Sequence, residues 1–212
     1  MYGSIQQGQF AANLASGQAA FVGAGFNNIA SGYGASVIGG NSNIASSNYA
    51  VASGAYGTTR SIVNSFAYGS VPIAGAYGVS QSALLVLGIE TTNATATVLR
   101  SDTSAASGTN QVILPNNSAY FFTGEVVSGV TGGGNTKGWT IEGVIKRGAN
   151  AASTALVGTP TVTSTYADAG ASTWVIAVTA DTTNGGLAVT FTGQASTTIR
   201  TVAQIRTTEM TY

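Results

Sequence analysis

The sequence contains no cysteine and no histidine, and only 7% of its 212 residues are charged. The first two absences exclude disulfides, zinc sites of the usual Cys/His type, haem ligation, thiol nucleophiles and histidine-dependent catalytic triads. The formal net charge is zero, so there is no basic excess of the kind that binds nucleic acid or anionic membranes. The longest apolar stretch, 83–89, is far shorter than the roughly 20 residues of a membrane-spanning helix. We expect neither a nucleic-acid partner nor membrane insertion.

Paired catalytic carboxylates are also missing from the local sequence. No two acidic residues lie within ten positions of each other, so no local pair predicts glycosidase chemistry. The glycine-rich stretch 131–135 lacks the Lys-Ser/Thr ending of a phosphate-binding loop and is predicted to connect two strands. The stretch 181–184 (DTTN) offers oxygen ligands suited to calcium, but turn chemistry explains Asp and Asn there. We expect no enzyme activity, no catalytic or metal-binding residues and no cofactor.

The first part of the chain repeats every fifteen residues. Asn-Ile-Ala-Ser occurs at 28–31 and again at 43–46. A constant register over several units is typical of stacked structural units, whereas a flexible glycine- and serine-rich linker, the alternative, needs no register. The lines obtained by stepping fifteen residues are Ser16-Ser31-Ser46-Ser61, Ala20-Ala35-Ala50-Ser65, Ala24-Gly39-Gly54-Gly69, Ala15-Ala30-Ala45 and Leu14-Ile29-Ile44.

A repeat of this length predicts one coil of a β-solenoid, with two short strands and two tight turns. Glycines suit turns that need a positive φ, and the alanine and serine lines are predicted to fill a narrow interior. Ala35 and Ala50 are expected to face inward in adjacent coils, about 4.8 Å apart. Because such small residues bury little apolar area, an isolated stack is expected to be only marginally stable.

Larger apolar residues in the repeats indicate a second burial surface. We expect a homotrimer in which three chains pack around one axis, with one set of these side chains inside the coils and the other between the chains. A monomeric solenoid with capped ends is the alternative. The candidate residues for packing in the trimer are Ile29, Ile44, Val37, Val51 and Phe66.

The composition changes near residue 89, because Arg60 is the only charged residue before that point. After it, short segments alternate between apolar and polar residues, as in Trp139, Ile141 and Ile145 on one strand face. This pattern predicts an antiparallel β-sandwich of the jelly-roll kind, and the whole chain is expected to be all-β. The predicted organisation is an attachment segment at 1–12, a repeat β-roll at 13–70, a connector at 71–82 and a β-sandwich knob at 83–212.

Surface aromatics and polar loops are the candidates for binding. The tyrosines in or beside the repeats either stack on sugars or pack between the chains of the trimer. The loops at 102–110, 131–137 and 166–172 are candidate receptor contacts because of their polarity and length. The tyrosines concerned are Tyr33, Tyr49, Tyr56, Tyr68 and Tyr77.

Two short stretches of the repeat region, ASVIG at 35–39 and SFAYG at 65–69, resemble the head repeats of trimeric autotransporter adhesins. That resemblance implies a parallel β-roll with three chains in each head.

The region 83–212 is similar to a domain that recurs in structural proteins of tailed bacteriophages, especially phages of cyanobacteria and related marine hosts. This resemblance implies a virion structural protein. The matching stretches are VILPNNSAY at 112–120, WTIEG at 139–143, IKRGAN at 145–150, ADTTNGGL at 180–187, and short motifs at 192–193, 198–200 and 207–209.

Together these features predict a homotrimeric tail fibre on the exterior of the virion. Its first segment, 1–12, is expected to attach to other virion proteins, and its knob to bind a glycan or protein of the host surface. A capsid head fibre or decoration protein is the alternative, and a polysaccharide-degrading enzyme is a third class.

Overall fold

The computed structural model describes residues 12–73 and 75–212, without the side chain of Thr165. The predicted attachment segment, 1–12, lies outside the described residues apart from Ala12. The chain divides into two compact units, which we call the coil unit and the sheet unit. The coil unit holds the described residues up to Leu85 together with Thr207–Tyr212, and the sheet unit holds Val86–Arg206.

The described residues form an all-β protein, as predicted. The only helices among them are two three-residue 3-10 turns, Ala151–Ser153 and Ala169–Ala171, and none is long and apolar enough to cross a membrane. The strands are β1 (Leu14–Ala15), β2 (Phe21–Val22), β3 (Ile29–Ala30), β4 (Ser36–Asn41), β5 (Ile44–Ala45), β6 (Val51–Ala55), β7 (Phe66–Ser70), β8 (Ser80–Thr91), β9 (Thr97–Val98), β10 (Val112–Ile113), β11 (Ser118–Val130), β12 (Thr136–Arg147), β13 (Ala155–Ala167), β14 (Val175–Asp181), β15 (Gly186–Thr192) and β16 (Ile199–Thr211).

The coil unit is a stack of parallel strands. Strands β1, β3 and β5 form one sheet, while β2, β4, β6 and β7 pair in a second. Ile29 pairs with Leu14 on one side and with Ile44 on the other, so equivalent positions are fifteen residues apart. In the second sheet, Ser36 pairs with Phe21 at the same spacing. The β-solenoid predicted from the repeat is therefore confirmed.

The interior of the coils is built from small side chains. Ala20, Ala35 and Ala50 follow one another in successive coils and are 2%, 0% and 0% exposed. Ser65 ends this line, and its buried hydroxyl donates a hydrogen bond of 2.7 Å to the carbonyl oxygen of Ile62. The prediction that Ala35 and Ala50 face inward is confirmed.

The fifteen-residue register slips once, within β4. Val37 pairs with Ala52, fifteen residues on, whereas Gly39 pairs with Ser53, fourteen residues on. Ile38 is therefore an extra residue, a β-bulge. The glycine line predicted through Gly39 is wrong for this reason, because stepping by a constant period does not detect a bulge.

The glycine line in the structure requires glycine sterically. In the first three of its members φ is +101°, +109° and +87°, a region that side chains disfavour, and a Cβ would overlap the carbonyl oxygen of the next member. One extra residue near Arg60 and Ser61, where φ is +51° and +61°, then restores the fifteen-residue register. Val51 accordingly pairs with Phe66, fifteen residues on. The line consists of Gly25, Gly40, Gly54 and Gly69.

The sheet unit has two sheets. One has the strand order β8-β16-β11-β12-β13, and the other has the order β10-β15-β14, with β9 paired to β15. The pairs β11–β12, β12–β13 and β14–β15 are antiparallel. The ring of Phe191 packs edge-on against Trp139 of the first sheet at 6.3 Å and against Trp174 at 6.1 Å. Trp139, Ile141 and Ile145 are all buried, as the alternation predicts.

The boundary between repeat and sandwich differs from the predicted connector. Strand β8 begins at Ser80, so the last three residues of the segment 71–82 belong to a strand. Phe66 of β7 pairs with Leu84 of β8 in antiparallel fashion, which adds β8 to the second sheet of the coil unit. The apolar alternation of β8 therefore starts before the residue at which the composition changes.

Candidate assembly surface

A ladder of buried asparagines runs through the coil unit. The side chains of Asn28 and Asn43 are 0% exposed, and Asn13 is also buried. The Oδ1 atom of Asn13 accepts a hydrogen bond of 3.0 Å from the backbone N–H of Asn28, and Oδ1 of Asn28 accepts one of 2.9 Å from the N–H of Asn43. Asn43 continues the ladder to the N–H of Gly57 at 2.8 Å. One side chain in each coil thus links that coil to the next.

The amide nitrogens of the same ladder bond to the coil corners. Nδ2 of Asn28 donates to the carbonyl oxygen of Gly40 at 2.9 Å, and Nδ2 of Asn43 donates to that of Gly54 at 2.8 Å. Both acceptors belong to the positive-φ glycine line. The asparagines therefore connect the buried ladder to the sharp corners and help to satisfy the corner carbonyl groups. The sequence signal was present, because Asn13, Asn28 and Asn43 share the fifteen-residue spacing.

The second sheet of the coil unit presents an apolar outer surface. Phe21, Ser36, Val51, Phe66 and Leu84 form one row across five neighbouring strands, and all are exposed or half-buried. Ile38 and Tyr68 are exposed and also alternate outward on their strands. We call this surface the apolar face, and it consists of Phe21, Ile38, Val51, Phe66, Tyr68 and Leu84.

The structure separates the five predicted trimer residues into three groups. Val51 and Phe66 lie on the apolar face, while Ile29 and Ile44 are half-buried on the outer surface of the first sheet, in line with exposed Leu14.

Val37 is different, because it is 0% exposed within its own chain. Its neighbours in β4, Ser36 and Ile38, face outward, so alternation directs Val37 into the coil. Val37 is therefore an interior residue and not a contact between chains. Ile38 and Leu84 are further outer apolar residues that the repeat pattern did not indicate.

The only charged residue of the repeat region is held inside the coil unit. Nε of Arg60 lies 3.1 Å from Oε2 of Glu209, and the two side chains are only 10% and 4% exposed. Gln81 donates to the same carboxylate at 2.7 Å, and so does the hydroxyl of Thr207 at 2.7 Å. Because Arg60 is paired inside the coil unit, no charged side chain of the repeats belongs to the apolar face.

Tyrosines form two pairs at the coil corners. The rings of Tyr33 and Tyr49 meet edge to face at 5.4 Å, and those of Tyr56 and Tyr77 do so at 5.6 Å. The φ of Tyr49 is +57°, and Gly34, the equivalent residue of the preceding coil, also has a positive φ. Tyr33, Tyr49 and Tyr77 are exposed, so both interpretations of the tyrosines, sugar stacking and packing between chains, stay predictions.

Two of the three predicted contact loops of the sheet unit meet each other. In the loops 131–137 and 166–172, Asp168 accepts a hydrogen bond of 2.8 Å from the N–H of Thr136, and its own N–H donates to the carbonyl oxygen of Thr136. The buried Lys137 donates to the carbonyl oxygens of Ser172 and Trp174 at 3.2 and 2.8 Å. These contacts bring the two loops together at one edge of the larger sheet.

The third predicted loop, 102–110, is organised by one buried side chain. Nδ2 of Asn110 donates to Oδ1 of Asp102 and to the carbonyl oxygen of Ala105, both at 2.9 Å. Its Oδ1 accepts from the N–H of Ser107 at 2.8 Å. These hydrogen bonds give the loop a defined conformation.

The acidic residues do not form a metal site among the described residues, where no group of three or more potential ligands occurs. The strand register does bring two carboxylates together: Thr123 pairs with Glu142 and Glu125 with Thr140, so the two glutamates lie diagonally on neighbouring strands. They line a hollow of about 290 Å³ that also contains Arg206. Sequence spacing alone could not reveal this pair.

Asp181 belongs to a turn. Its Oδ1 atom accepts from the backbone N–H groups of Thr183 and Asn184 at 3.0 and 2.9 Å. Its Oδ2 atom accepts from the side chains of Asn184 and Gln111 at 2.7 and 3.1 Å. Burial raises the pKa of this carboxyl group, but the four hydrogen bonds outweigh burial and lower its pKa below the usual 3.8. This is the turn chemistry that the sequence favours at 181–184.

We expect this turn to be sensitive to acid. Because the folded pKa of Asp181 is lowered, the stabilisation that the ionised group provides is present above about pH 4 and is lost as the pH falls through the folded pKa. Asp181→Asn should cost about 1–2 kcal/mol at pH 7 and flatten the fall in stability below pH 4. Urea unfolding at pH 7 and pH 3 measures both effects. Glu142→Gln, at an exposed position, is the control and should change neither.

No family model matches the chain, and no curated protein matches it. The apolar face and the loops of the sheet unit are therefore the structural features that bear on function.

Proposed function

We propose that the chain is a structural protein of a tailed-phage virion, a homotrimeric tail fibre that binds the host surface. The coil unit is the assembling part, and its apolar face packs against two further copies of the chain. The sheet unit is the adhesive part, and its loops contact a glycan or protein of the host. The fibre lies on the exterior of the particle.

The apolar face is the observation that supports this proposal most. It presents large side chains, including Phe21, Ile38 and Tyr68, on a surface without charged residues. Contiguous exposed apolar surfaces in soluble proteins are typical of interaction sites. A neutral surface can meet a copy of itself without like-charge repulsion, and no ion has to be desolvated.

Assembly into a trimer also compensates for the weak hydrophobic stabilisation of the small-residue interior. The line of Ala20, Ala35 and Ala50 buries little apolar area, and the asparagine ladder contributes hydrogen bonds rather than hydrophobic burial. At roughly 25 cal/mol per Å² of apolar surface removed from water, the outer side chains offer more stabilisation than the alanines do. Burying the apolar face between chains supplies that term.

Adhesion by the sheet unit needs no deep pocket. Several fibres on one particle combine weak contacts by avidity, so that overall attachment is far stronger than each contact alone. The loops 131–137 and 166–172, tied through Asp168 and Thr136, give a rigid edge for such contacts.

The second candidate is a head fibre or decoration protein on the capsid, which would use the same trimer. An enzyme that degrades polysaccharide is not our proposal, although Glu125 and Glu142 lie near each other. The general acid of a glycosidase is a carboxyl group removed from water, and both of these side chains are exposed.

Labelling of intact particles tests the location. An antibody against the purified chain, viewed by negative-stain electron microscopy on phage particles that contain the protein, should label the tail. Label confined to the capsid would support the head-fibre alternative instead. Particles without label would contradict a virion role, provided that the antibody detects the chain in disrupted particles.

A further inference from the structure

A cleft of about 570 Å³ opens on the outer side of the sheet unit. Strands β8 and β16 form its base, and the segment after β9 forms one wall. It lies apart from the loops 131–137 and 166–172. The side chains that matter for its chemistry are Val86, Glu90, Arg100, Asp102, Arg200 and Val202.

The base of the cleft exists because residue 88 is glycine. The N–H and carbonyl groups of Gly88 pair with those of Arg100 at 2.8 and 3.1 Å, as in an ordinary bridge between strands. A Cβ added to Gly88 would meet nothing closer than the carbonyl oxygen of Thr201, at 3.4 Å, and its φ is not positive. Neither backbone conformation nor packing therefore demands glycine. Any larger side chain would fill the cleft.

The walls combine charged and apolar groups. Nε of Arg200 lies 2.7 Å from Oε2 of Glu90, and both side chains are largely exposed. Nε of Arg100 is buried and has no hydrogen-bond partner among the described residues, which is uncommon for a buried polar atom. Exposed Val86 and Val202 lie beside these groups.

We propose that this cleft binds a carboxylate-bearing sugar. The proposal rests on the fibre function and identifies the chemical class of its receptor. Guanidinium groups recognise carboxylates through charge-assisted, often bidentate hydrogen bonds, which Arg100 and Arg200 supply. Glu90 and Asp102 accept hydrogen bonds from sugar hydroxyl groups. Val86 and Val202 contact the apolar C–H face of the ring.

Titration calorimetry of the full chain tests this proposal with three acidic sugars: trigalacturonate, N-acetylneuraminate and 3-deoxy-octulosonate. The methyl ester of each sugar is the neutral counterpart. At least one acid should bind saturably, and its ester should bind at least about tenfold more weakly, which corresponds to about 1.4 kcal/mol. Failure of all three acids to bind, or equal binding of acid and ester, would overturn the proposal.

The variant Gly88→Val locates the site. It fills the cleft with a residue that suits a strand, so binding should fall at least about tenfold while the melting temperature stays near that of the parent. Gly138→Val adds the same side chain at a glycine of β12 that does not line the cleft, and binding should be unchanged. Arg200→Gln should weaken the binding of the acid but not the binding of the ester.

If Gly88→Val binds the acid as tightly as the parent does, the acid does not bind in this cleft.

These results are independent of the particle labelling. Sugar binding that fails in a chain found on the tail contradicts only the cleft proposal. Sugar binding by a chain that is absent from particles contradicts only the fibre proposal.

Discussion

Replacing Asn28 with alanine should unfold the coil unit or strongly lower its melting temperature. The substitution removes the acceptor of the Asn43 N–H and the donor to Gly40. The N–H of Asn43 lies inside the stack, where water does not replace the lost partner. The carbonyl oxygen of Gly40 loses the bond to Asn28 but keeps the N–H of Phe26 as a donor at 3.0 Å. A buried group left unsatisfied costs about 1–3 kcal/mol and an ordinary lost hydrogen bond about 0.5–1.5 kcal/mol, so we expect a total of about 1.5–4.5 kcal/mol in each chain. Folded domains are stable by only about 5–15 kcal/mol.

Circular dichroism melting measures this effect, and the chain offers a matched control. Asn48 also bonds to the preceding coil, through the N–H of Tyr33 at 3.1 Å, but its side chain is exposed. Asn48→Ala should therefore cost less than about 1 kcal/mol, since water takes the place of the side chain. Asn28→Asp should be as harmful as Asn28→Ala, because it loses the Nδ2 donor and buries a charge. Equal melting of Asn28→Ala and Asn48→Ala would disprove a structural role for the ladder.

Replacing Ala35 with leucine should also destabilise the coil unit strongly. Ala35 is 0% exposed and lies between Ala20 and Ala50 in the coils below and above. The added side chain has no free volume, and overpacking of this kind costs about 1–3 kcal/mol per site. In a trimer the cost recurs in each chain, so the assembly should lose roughly 3–9 kcal/mol.

The measurement is again the melting temperature, together with the yield of assembled protein. Ala152→Leu is the control, because Ala152 is exposed in a short 3-10 turn of the sheet unit. It should melt with the parent. If Ala35→Leu also melts with the parent, the alanine line does not fill a packed interior.

The coils could be predicted from the fifteen-residue repeat, but the bulge could not. Parallel stacking places equivalent residues in contact, so the inward positions of Ala35 and Ala50 follow from period alone. The bulge at Ile38 and the two left-handed residues at Arg60 and Ser61 shift and then restore the register. Each involves a single residue, and a constant step averages over such changes.

The asparagine ladder could have been predicted but was not. Its three members share the period, yet asparagine is usually exposed, and the line was interpreted only as part of the repeat. The structure shows that its hydrogen bonds satisfy both backbone N–H groups and corner carbonyls. A periodic buried polar residue is the natural partner of a periodic sharp corner.

Contacts between distant parts of the sequence explain the remaining differences. Arg60 and Glu209 are 149 residues apart, and the diagonal pair of Glu125 and Glu142 depends on strand register. The open base at Gly88 depends on which strand lies beside it. Sequence alternation predicted the strands and their buried faces, but it contains no information on which strands become neighbours.

Light scattering of the purified chain at micromolar concentration shows whether copies of the chain associate, as they must if the apolar face is buried between them. We expect a single species with a mass near three times 21.1 kDa. A sharp peak at 21.1 kDa, unchanged as the concentration rises, would contradict it.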